Sequence, residues 1–117
     1  APASGETRTA ETRVETRAAR TGVLISPGLA RHVQPLLKSG ANIALAADGF
    51  RSATEFVTVA RAARNTGVPF MLLKHRVVNE GRSLAKAIES SKPELNGTLE
   101  APRAAAEARV DMAYVAS

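Results

Sequence analysis

The stretch Ala63-Arg64-Asn65-Thr66-Gly67-Val68-Pro69-Phe70-Met71-Leu72-Leu73-Lys74-His75-Arg76-Val77 constrains the fold more than any other. A small residue, a glycine four positions on, and then Val68, Leu73 and Val77 give a helix-turn-helix outline. The Ala lets two helices approach, the Gly takes a backbone conformation closed to other residues, and the branched residues seat the second helix on the first. The outline predicts a first helix over 53–65 and a second over 69–78. It fixes a geometry, not a ligand.

Helix signals surround this pair. Ser26-Pro27 is an N-cap followed by a preorganised first helical position. Leu29, Val33, Leu36 and Leu37 then fall on one face before Gly40, and Pro35 should kink or split that helix. Asn42 and Gly49 bracket a short helix over 43–48. Ser52-Ala53-Thr54-Glu55 reads as a capping box, and Gly67 as a C-terminal stop. Leu84, Ala87 and Ile88 repeat the pattern between Ser83 and Pro93. Asn96-Gly97 reads as a turn, with a last helix starting near Pro102. Helices are expected near 27–39, 53–65, 69–79, 83–91 and 101–114, with no sheet and with Val23-Leu24-Ile25 as an apolar lead-in. The fold class is all-α, an orthogonal bundle of five or six short helices containing the helix-turn-helix-like pair. Three Phe, one Tyr and no Trp suit close packing through small side chains.

Two regions are expected. Residues 1–22 repeat Glu-Thr-Arg three times around a single sizeable apolar residue, Val14, which predicts a low-complexity, tether-like tail. Residues 23–117 form one helical domain. The start Ala-Pro-Ala-Ser matches the small residues left by signal-peptide cleavage, which predicts export to the periplasm or beyond. No apolar run approaches the length of a membrane span.

The net charge of +5 is uneven: +1 over residues 1–20, +6 over 21–92 and −2 over 93–117. Arg61, Arg64, Lys74, Arg76, Arg82 and Lys86 have only Glu80 among them. Arg61, Arg64, Arg82 and Lys86 are candidates for a surface facing an anionic partner, with a solvated basic face as the plainer alternative.

Chemistry-bearing sets are scarce. Without Cys there is no disulfide, thiolate or Cys-ligated metal. His32 and His75 lack a ligand partner one helical turn away, so no metal site is expected. Asp48 and Asp111, the only Asp residues, form no evident acid–base dyad, and Ser83, Ser90 and Ser91 have no nucleophile context. The glycines are scattered singly, so no phosphate loop or cofactor is expected. The reading is therefore non-enzymatic. Four consecutive apolar residues, Phe70–Leu73, cover more than one stripe of a small bundle. The helix is then either central or exposes a patch that a protein partner covers. The partner-binding candidates are Phe70, Met71, Leu72, Lys74 and Arg76.

The pattern Gly49-Phe50, Glu55-Phe56, Asn65-Thr66-Gly67-Val68-Pro69-Phe70 and Ser83-Leu84-Ala85-Lys86-Ala87-Ile88 resembles a group of small exported bacterial proteins. Those carry Gly-Phe, Leu-Gly-Ile-Pro-Phe and Ser-Leu-Gly-Lys-Ala-Ile segments. The likeness covers about residues 26–92, with Thr66 in place of the usual Leu and Ala85 in place of the usual Gly. It implies export and an all-helical fold, and no activity. The leading expectation is an exported helical interaction protein, an accessory or surface subunit of a larger assembly. The alternative is a nucleic-acid-binding helix-turn-helix protein. Against it, Phe70, Met71 and Leu72 occupy positions where base readers need polar side chains.

Overall fold

A computed structural model describes residues 24–116, and the tail expected over residues 1–22 lies outside the described residues. Six α-helices and no strand occur among the described residues: α1 Pro27–Val33, α2 Ile43–Ala47, α3 Ala53–Thr66, α4 Phe70–Lys74, α5 Leu84–Ser91 and α6 Gly97–Ala116. The protein is an all-α helical bundle.

Local chemistry sets most boundaries. The Ser26 hydroxyl accepts from Leu29 N–H at 3.1 Å with Pro27 opening α1. Pro35 then ends the α-helical ladder at Val33, and the chain tightens into a 3-10 turn over Gln34–Leu36. The helix expected over 27–39 is thus split. Asn42 caps α2 through Leu45 N–H at 3.1 Å. Ser52 caps α3 through Glu55 N–H at 3.1 Å, while the Glu55 carboxylate accepts from Arg51 N–H at 2.8 Å, one residue before the expected partner.

Gly67 closes α3 in the left-handed region, at φ 78°, and donates to Ala63 O. Lys92 reaches across from the end of α5 to donate to Thr66 O at 2.9 Å. A cation thereby sits on the negative end of α3. Thr66 itself is buried, and its hydroxyl donates to Ala62 O at 2.7 Å and accepts from Val68 N–H at 3.2 Å. That pairing is what makes a hydroxyl tolerable there.

Helix α4 loosens into a π-helical turn, His75–Asn79, which gives the second half of the expected 69–79 helix a wider coil. The last helix begins at Gly97, not near Pro102. The Asn96 side chain accepts from Thr98 N–H at 3.1 Å, so the residues expected to make a turn act as a cap instead. Gly97 is buried against the Ala85 backbone, and any Cβ there would collide with the Ala85 carbonyl. Glycine here brings α6 onto α5.

The core joins Phe56, Val57, Val59, Leu73, Ile88 and Val33 with small residues, among them Ala62, Ala87, Ala104 and Ala108. Helix α6 lies along α3 and α5 through its Ala104/Ala108 stripe, and α1 packs on its C-terminal part. Phe50, Phe56 and Phe70 form a ring cluster, with centroids 5.9 to 6.2 Å apart and the Phe56–Phe70 pair edge-on.

Candidate functional site

The apolar run that opens α4 divides over three environments. Leu73 is fully buried. Phe70 and Leu72 are half-buried and packed against the core, Phe70 within the ring cluster. Met71 is 63 % exposed. One turn on, the Lys74 ammonium donates to Leu45 O at 2.9 Å and lies 5.8 Å from the Phe50 ring centroid. Burial pushes the Lys74 pKa down, against the opposing pull of Asp48. Lys74 therefore ties α4 to α2 at the point where the Leu45 side chain, 68 % exposed, faces solvent. Leu45 and Met71, two large apolar side chains that are mostly exposed, thus belong to the two helices that this partly desolvated cation joins.

Arg76 belongs to a neighbouring network. Glu80 collects His75 Nε2 at 3.3 Å, Arg76 Nη1 at 3.7 Å and Arg82 Nε at 2.8 Å. The π-helical turn makes this possible, because Glu80 N–H bonds back to His75 O and Arg82 N–H to Arg76 O. Arg82 also donates to Ser90 at 2.6 Å. The one acidic residue among the central cations is thus in contact with two of them and with His75. Beside Arg82, a cleft of about 590 Å3 runs between the first turn of α3 and the loop before α5.

The four candidates for an anionic surface do not share one face of free charge. Arg64 donates to Pro35 O at 2.9 Å, Arg82 is held by Glu80, and Lys86 is exposed. Arg61 is drawn into a charge cluster that joins three helices. Its Nε donates to Asp111 Oδ2 at 2.7 Å and its Nη2 to Oδ1 at 2.6 Å, while His32 Nε2–H donates to Oδ1 at 2.8 Å. Asp111 is buried, at 3 % exposure. Burial raises the carboxyl pKa, but the hydrogen bonds from Arg61 and His32, with their charge, outweigh it and hold Asp111 below the ordinary carboxylate range. The Asp111 hydrogen bond in turn raises Arg61 against the effect of burial. The Tyr114 ring lies 5.0 Å from that of His32, and a cleft of about 500 Å3 lined by Gly28, Arg31, His32, Tyr114 and Val115 opens beside them.

In the sequence His32 and Asp111 stand 79 residues apart with no visible link. Their signal was the position of Asp111, at i+3 from Ala108 and i+7 from Ala104 on the buried stripe of α6, where a carboxylate requires a cationic partner. Leu45 carried no comparable signal, since α2 is too short to define which face is covered.

Among the described residues no three His, Cys, Asp or Glu side chains gather as for a metal ion, and no helix is long and apolar enough to cross a membrane. Comparison with models of protein families, with curated proteins and with solved structures finds no match for this chain.

Proposed function

We propose that this chain is a non-catalytic, exported helical interaction protein, an accessory or surface subunit of a larger assembly, that docks through the α2–α4 edge. The observation that carries the reading is Met71 and Leu45, both exposed, on the two helices that the Lys74 ammonium ties together. Such an edge offers a partner apolar area at its centre and a cation whose remaining hydration is already reduced. Arg76, two residues beyond Lys74, shares Glu80 with Arg82 and so keeps part of its charge for such a partner. The nearest approach to a reactive constellation, Asp111 with His32, has its carboxylate filled by Arg61, which favours a structural role over acid–base work. Export rests on the resemblance to small exported bacterial proteins. The nucleic-acid alternative draws less support: a groove would meet Met71 and the half-buried Phe70 and Leu72, which read no base edge.

A photo-activatable side chain placed at position 45 or 71, in cells that make the protein, tests the reading. Both positions should yield the same discrete cross-linked partner, and position 86 should not. Products that are absent, or indistinguishable from those at position 86, would overturn it.

A further inference from the structure

Helix α6 is apolar on two sides. One side is the Ala104/Ala108 stripe against α3 and α5; the other faces solvent. Leu99, Ala106, Val110 and Ala113 are all exposed, Leu99 to 60 % and Val110 to 69 %. At 3.6 residues per turn they fall within an arc of about 60°. Arg103 and Glu107 run along one edge of that arc. Arg103 Nη1 is 3.8 Å from Glu100 and its Nε is 3.9 Å from Glu107, both at the outer limit of an ion pair. Glu107 Oε1 accepts from Asn65 Nδ2 at 2.7 Å, which leaves Oε2 as the oxygen nearer Arg103.

We propose that this outer face of α6 binds the same face of a second copy of the chain, the two helices running antiparallel about a two-fold axis. Three features agree on one register. In a two-fold antiparallel pair each edge of the helix meets its own counterpart. With the axis level with residue 105, Arg103 of each copy lies level with Glu107 of the other, so each Arg103, loosely paired within its own chain, gains the Oε2 of the other copy's Glu107 while Oε1 keeps its bond from Asn65. In that same register Leu99 comes within about 1.5 Å, along the axis, of the level of Val110 in the second copy. Ala106 of both copies straddles the centre, where small side chains let the helices approach closely. Arg109, on the opposite edge, meets the level of Thr98 to Pro102 of the other copy and not a like charge. Registers shifted by one turn lose either the ion pairs or the Leu–Val match. This face contains neither Leu45 nor Met71, so self-association and docking at the α2–α4 edge stand or fall separately.

Sedimentation equilibrium of the full chain between about 1 and 200 μM, typical of a micromolar association, reads the outcome. The wild type should dimerise. Ala106→Glu, exposed in the single chain, should keep its helical circular dichroism and weaken the dimer at least about tenfold. Arg103→Glu and Glu107→Arg should each weaken it when alone. Mixed together, they should form a heterodimer, because only an intermolecular pairing restores both charge contacts. A wild type that stays monomeric throughout would overturn the proposal. So would a dimer indifferent to Ala106→Glu, or an equimolar mixture no more associated than its parts.

Discussion

Asp111 shows how much a single residue of this fold decides. Its carboxylate is buried, yet held charged by Arg61 and His32 from two other helices. Removing one member of a buried pair leaves the other without its counter-charge, a loss of about 3–5 kcal/mol when both are fully buried. Arg61 keeps 28 % of its side chain in water, so Asp111→Asn should cost about 2 kcal/mol or somewhat more by urea denaturation at neutral pH. The pH dependence has a definite sign. The folded pKa of Asp111 lies below its unfolded value, so the stabilisation is complete above about pH 4 and is lost as the pH falls through the folded pKa. The stability gap between wild type and Asp111→Asn should therefore narrow below pH 4. Met71 is the opposite case. Because it is exposed, Met71→Lys should leave stability within about 0.5 kcal/mol of wild type, whereas Leu73→Lys would bury a charge and prevent folding.

At the scale of elements, two glycines act for different reasons. Gly67 ends α3 at φ 78°, so Gly67→Val should cost at least about 1 kcal/mol from backbone strain, with the added side chain also crowding Lys92 Nζ. Gly97 has no unusual backbone conformation. By helix propensity alone, replacing it with Ala should stabilise α6 by up to about 1 kcal/mol. The Ala85 backbone leaves no room for a Cβ, so Gly97→Ala should instead destabilise by about 1–3 kcal/mol, as an overpacked interface does. Opposite signs for the propensity and packing arguments make thermal melting of this variant decisive. The α3–α4 pair keeps the outline of a helix-turn-helix without its reading head. Any binding to duplex DNA should be weak and fall steeply between about 50 and 200 mM salt, which a fluorescence-anisotropy titration checks.

Over the whole molecule, what the sequence made legible was local. Ser26, Asn42 and Ser52 cap the helices they were expected to cap, and Gly67 stops α3 where it should, because each signal acts within one turn. Pro35 divides the first helix as its ring requires. The start of α6 was misplaced because Pro102 looked like a first-turn proline, while Asn96 caps from farther back. What stayed hidden depends on residues far apart in the chain. Asp111 meets His32 and Arg61 only after three helices assemble, Lys92 reaches Thr66 across the bundle, and Gly97 matters only because Ala85 lies against it. Exposure of Met71 was one of two readings of Phe70–Leu73, and the Phe50, Phe56 and Phe70 cluster decides it by turning Phe70 inward.

The central claim, that the α2–α4 edge joins this chain to a larger assembly, is tested most directly by its native mass in extracts of cells that make it. Wild type should migrate in a complex well above both its own 12.3 kDa and twice that mass, while Met71→Lys, folded in isolation, should fall to the mass of the free chain or its dimer. A wild type that migrates alone, or a Met71→Lys variant that stays in the complex, would contradict the account.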